Sequence, residues 1–169
     1  MKQAELQQIL TEFAAERLAL LEHHEAAARV VSHYDFNNAY QYVINREETH
    51  LSWVTNALAE YAGAASPAVP AALPGPEAPK ARKQVDASDY RPIVEDDARY
   101  LRAFVEKWRG RVDGMTNGRH RIMLNVILGE SKEHERFFEQ AAAGFEDLLG
   151  RRTTGAARVG GVLPTRWME

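Results

Sequence analysis

Glu47 and His50 stand one helical turn apart, and so do Glu130 and His134. Side chains three or four residues apart on a helix share a face. In the segment 36–62 the apolar ridge runs Phe36, Ala39, Tyr40, Val43, Val54, Ala57, Leu58, Tyr61, and the first pair fills its central gap. In 118–149 the ridge reads Ile122, Met123, Val126, Phe137, Ala141, Phe145, Leu148, with the second pair in its gap. An ionised carboxylate in a dry core is costly unless it is paired or bound to a cation. One such pair is more often a buried hydrogen-bonded pair than a ligand set; two at matched depth, joined by a third carboxylate, favour a shared metal.

Cysteine is absent, so disulfides, thiolate nucleophiles and iron–sulfur clusters are excluded and any metal is held by oxygen and nitrogen. Carboxylates and imidazoles suit iron or manganese. Asp97 interrupts the ridge Ile93, Leu101, Phe104, Trp108, and counting from Met115 places it level with Glu130 and His134. Its competing role is to compensate the dipole of its helix's first turn, as Glu95 and Asp96 would. On the first helix Glu16 is the candidate carboxylate, while Glu22 and Glu25 point aside. His24 and Arg17 occupy that face's centre, where they would orient ligands and pair with carboxylates. His23, His33 and His120 read as surface residues. Tyr40, Tyr42, Trp53, Tyr100 and Trp108 read as core, with a further use as electron donors beside a metal.

These residues need four helices to position them, and the chain supplies an all-α pattern. The first, about 3–32, carries Leu6, Ile9, Leu10, Phe13, Leu20, Leu21, Ala28 and Val31 on one side; a tight turn at His33-Tyr34-Asp35 follows, with Asp35 as N-cap of the second. Residues 63–91 turn to alanine, proline and charge, including Lys80-Ala81-Arg82-Lys83, and form a linker of almost thirty residues. A third helix, about 92–112, opens on Pro92, and a Gly114–Gly118 turn leads into the fourth. The expectation is a helical bundle over 1–150, built as two antiparallel hairpins joined by a long crossover, and a flexible tail over 151–169. In that tail Val159-Gly160-Gly161-Val162-Leu163-Pro164-Thr165-Arg166-Trp167 is a candidate docking peptide for a partner.

A net charge of −3 without a basic, aromatic-laced patch argues against nucleic acid. No run of about 18 apolar residues offers a membrane span, and the N-terminus lacks a signal peptide's apolar stretch, so a cytoplasmic protein is expected.

Arg46-Glu47-Glu48-Thr49-His50-Leu51 resembles the Glu-x-x-His motif of the ferritin-like superfamily of di-iron carboxylate proteins, rubrerythrin-like members especially. Glu130-Ser131-Lys132-Glu133-His134-Glu135-Arg136-Phe137 resembles that family's helix-four motif, with Ser131 where a glutamate is usual. The resemblance covers most of 3–149. It implies a four-helix bundle holding two iron or manganese ions, with Glu47 bridging, His50 and His134 as terminal ligands, and Glu130 substituting from one residue earlier. It also implies metal oxidation coupled to reduction of dioxygen or peroxide. A glutamate is usual on helix one, where only Glu16 approaches the right face, and on helix three, where Asp97 stands. A homodimer is the expected assembly. Two other readings remain open: a DinB-like bundle with one histidine-held metal, for which His24 is the third histidine, and a metal-free interaction module whose buried charges form Arg17/Glu/His networks.

Overall fold

Four helices hold most of the residues that the computed structural model describes, which are 2–61, 71–79 and 85–150. They are α1 (Gln3–Val30), α2 (Tyr34–Ala59), α3 (Arg91–Asp113) and α4 (Gly118–Ala142), and among the described residues there is no strand. The tail 151–169, with its candidate docking peptide, and parts of the linker, including Lys80-Ala81-Arg82-Lys83, lie outside the described residues.

The boundaries follow local chemistry. His33, rather than Asp35, is the N-cap of α2, and Asp35 falls in its first turn, where its charge still faces the positive end of the helix. A 3-10 turn, Ala87–Tyr90, precedes α3 and is closed by reciprocal side-chain bonds of Asp86 and Asp89, after which Pro92 supplies a first-turn dihedral suited to the helix. The Asn117 side chain caps α4 by accepting from the His120 amide at 3.1 Å. Helix α4 ends at Ala142, short of 149, although Leu148 still packs into the core.

Side-chain contacts fix the directions. Helix α1 runs antiparallel to α2, with His24 on Glu47 and Arg17 on His50. It also runs antiparallel to α3, with Ser32 on Tyr90 at one end and Glu12 on Arg111 at the other. Helices α2 and α3 therefore run the same way, and the chain between them crosses the length of the bundle. This is the expected architecture of two antiparallel hairpins and a crossover. Leu73 of the crossover packs against the core.

Helix α4 departs from expectation in phase. Its buried face is Leu124, Ile127, Leu128, Ser131, His134, Phe138 and Ala141, whereas Ile122 (65%), Val126 (45%) and Phe145 (65%) are exposed. The ridge was displaced by about one residue, roughly 100°. Among the aromatics Tyr40 and Trp108 are buried, Trp53 and Tyr100 are partly so, and Tyr42 is 40% exposed. His23 and His120, read as surface residues, are buried. No helix among the described residues is long and apolar enough to cross a membrane.

Candidate functional site

Between the two hairpins runs a chain of buried polar side chains, each helix contributing. Arg17 and His24 come from α1, Glu47 and His50 from α2, Asp97 from α3, Ser131 and His134 from α4, and all are essentially inaccessible to water. Burial of Glu47 and His50 is as the ridge of α2 requires, since they complete the stripe Val43, Glu47, His50, Val54.

Arg17 is the hub. Its Nη1 donates to Ser131 Oγ at 3.0 Å and its Nη2 to His50 Nδ1 at 2.8 Å; Nη2 also lies 3.5 Å from Glu47 Oε1. Because a guanidinium only donates, His50 Nδ1 is the acceptor, so its proton sits on Nε2, which donates to Glu130 Oε2 at 2.9 Å. Glu47 Oε2 accepts a hydrogen bond from His24 Nδ1 at 2.8 Å, while Glu47 Oε1 is buried without a hydrogen-bond partner. Asp97 belongs to the other end of the chain, accepting from Tyr40 and lying 2.7 Å from His23 Nε2, though off the line of a hydrogen bond, and 3.9 Å from His24 Nε2. It is the seventh residue of α3, too far in to serve the first-turn dipole. His23 and His24 are both buried because one faces Asp97 of α3 and the other Glu47 of α2.

Two expected ligands stand elsewhere. Glu130 lies at the rim, 31% exposed, held by Arg46 through two bonds of 2.9 and 2.8 Å. Glu16 turns away, pairing with Lys107 and accepting from Trp108 Nε1 at 2.9 Å on the α1/α3 side. Arg46, His23 and the buried Glu135, which accepts from Arg102 at 2.9 Å, were not anticipated. Arg46 immediately precedes the motif glutamate, and that adjacency is the one signal the sequence held for it.

The charges follow. Burial would raise the Glu47 carboxyl, but His24 and Arg17 outweigh it and hold it at about 2. His24 loses some basicity to burial yet is raised on balance by Glu47 and Asp97. Burial, then Arg17, lowers His50 to about 4, and burial foremost lowers His134 to about 3. Both of these histidines are therefore neutral near pH 7.

Proton linkage gives the first expected outcome. His50 and His134 bind protons more weakly folded than unfolded, so their contribution is full above 6.5 and is lost as pH falls towards 4 and 3 respectively. Glu47 adds a loss between 4.5 and 2, while raised His24 acts oppositely, its contribution shrinking as pH rises. The melting temperature is expected to fall from pH 7 to pH 4.5, and His134→Gln to flatten that fall. Identical pH profiles for parent and variant would refute the assignment.

Among the donors named for the di-metal site implied by the resemblance, some are engaged within the protein and others, Glu47 Oε1, Asp97 Oδ1 and His134 Nδ1, are buried without hydrogen-bond partners. Both His50 nitrogens are used, Glu130 is clamped by Arg46, and Glu47 faces a permanent cation that repels a second one. Among the described residues, the one trio of His, Asp or Glu whose ligand atoms all lie within 4.8 Å of one another is His33, Asp35 and Glu146, at one end of the bundle. No family model, curated protein or solved structure matches the chain.

Proposed function

We propose that this bundle is a metal-independent interaction module, in which the Arg17 guanidinium supplies the positive charge that a metal would bring to Glu47. The observation that carries the reading is the contact of Arg17 with Ser131. These are two positions where the chain departs from the ferritin-like pattern: a cation on helix one, and a serine three residues before His134. The two fit each other, since the guanidinium donates to the hydroxyl of the serine that stands where a glutamate is usual. With Arg17, His50, Ser131 and Glu130 bonded to one another, the bundle on this reading acts through its surface. Ile122 and Val126 lie one turn apart on α4, both exposed, and offer a small apolar face to a protein partner, a second copy being the expected one.

Protein purified without added metal is expected to oxidise Fe(II) under air no faster than buffer, and to sediment as a dimer that Ile122→Glu dissociates. Two iron or manganese equivalents lost on His134→Ala would sink the reading, as would a parent that stays monomeric.

A second reading keeps an interior metal, and specific atoms favour it. His24 Nε2 and His134 Nδ1 are buried without hydrogen-bond partners, and unpartnered imidazole nitrogens are what iron or manganese would engage. Such a site would supply redox chemistry towards dioxygen or peroxide. The iron assay separates the two.

A further inference from the structure

We propose that the turn between α1 and α2 and the segment following α4 form a binding site for one divalent transition-metal ion, held by His33, Asp35 and Glu146. One ligand atom from each lies within 4.8 Å of the other two, and all three residues are partly buried. His33 Nδ1 is itself shielded from water and has no hydrogen-bond partner. A shielded ring nitrogen in that condition is costly, and coordination would satisfy it.

The fold builds this juxtaposition deliberately at the chain level. Helix α4 ends in a Schellman-type cap: the Phe145 amide donates to the Gln140 carbonyl at 2.9 Å and the Gly144 amide to Ala141 at 3.0 Å. Gly144 has φ +90°, a conformation in which a side chain would be strained, and it reverses the chain so that Glu146 comes back beside the α1–α2 turn. Leu148 then anchors the segment in the core. His33 is equally fixed, as the N-cap of α2 with its ring 4.5 Å from that of Phe36.

One imidazole and two carboxylates suit Zn²⁺ or Mn²⁺, with water completing the shell, better than Mg²⁺ or Ca²⁺, which take oxygen ligands. Among these the Irving–Williams order favours Zn²⁺ over Mn²⁺. Coordination would tie the segment after α4 to the opposite hairpin. The site shares no residue with the interior network and does not rest on the reading of it.

The test is calorimetric titration of the full, untagged chain with Zn²⁺. One equivalent is expected to bind and to raise the melting temperature. His33→Ala and Glu146→Gln should each weaken binding by at least about tenfold, the loss typical even of outer-sphere partners. Glu133→Gln, an exposed acid on α4, should leave it unchanged. Glu146 lies outside the helices, so its variant separates lost coordination from lost folding, with circular dichroism as the check. Absence of Zn²⁺ binding, or binding indifferent to both variants, would overturn the site while leaving the interior reading untouched. Binding lost on His134→Ala and retained in His33→Ala would overturn both.

Discussion

Arg17→Ala is expected to lower stability by about 3–5 kcal/mol, the range seen when one partner of a buried ion pair is removed. For a chain of this length that corresponds to a fall in melting temperature of roughly 6–20 °C. The change strips Glu47 of a neighbouring cation and leaves Ser131 Oγ and His50 Nδ1 without their donor. It also opens a cavity where the side chain packed over Phe104, 5.6 Å from the ring centre. Arg17→Met restores the volume but none of the charge, so it should recover only the cavity part. Arg17→Met with Glu47→Gln removes both charges and is expected to be more stable than Arg17→Met alone, because an uncompensated carboxylate is worse than an apolar and amide pair. Chemical denaturation of the parent, Arg17→Met, Glu47→Gln and the double variant measures this cycle. Additive effects would mean that Arg17 and Glu47 do not interact, and the hub would be lost.

The comparison of helices shows what the sequence makes legible. In α2 the ridge Phe36, Ala39, Tyr40, Val43, Val54, Ala57 and Leu58 stands in the phase the structure shows, although Tyr42, Ile44 and Trp53 flank it, so burial of Glu47 and His50 and exposure of Glu48 follow from counting. In α4 apolar residues come in adjacent pairs, Ile122-Met123, Val126-Ile127 and Phe137-Phe138, and each pair supports two phases about 100° apart. Leu124 and Leu128 decide between them, because with Ile127, Ser131, His134, Phe138 and Ala141 they make an unbroken stripe. Choosing the other phase put Glu130 at the centre and set Ser131 aside. Glu16 escaped for a different reason: its partners, Lys107 and Trp108, are more than ninety residues away, and no local pattern announces such a contact. The crossover, by contrast, was legible from length and composition alone, since antiparallel neighbours need only a few residues to connect.

The reciprocity of Arg17 and Ser131 makes the largest prediction. Exchanging both for glutamate, Arg17→Glu with Ser131→Glu, replaces a guanidinium and a hydroxyl by two carboxylates beside Glu47. Several negative charges then share a dry interior with His24 as the nearest counterion, an arrangement that cannot stay ionised and folded without added cations. The double variant is therefore expected to be largely unfolded in chelator and to refold on adding Mn²⁺ or Fe²⁺, because metal bound only by the folded state stabilises it by mass action. His50 and His134, neutral in the parent, are placed to serve as nitrogen donors once Arg17 no longer occupies one of them. Arg17→Glu alone keeps the serine and should respond to metal more weakly. Circular dichroism with and without Mn²⁺ reads the result for both variants and the parent, whose helicity should be indifferent to the ion. A double variant that folded equally well in chelator and in metal would show that the interior tolerates unpaired carboxylates, and the account of Arg17 as the network's indispensable cation would fall with it.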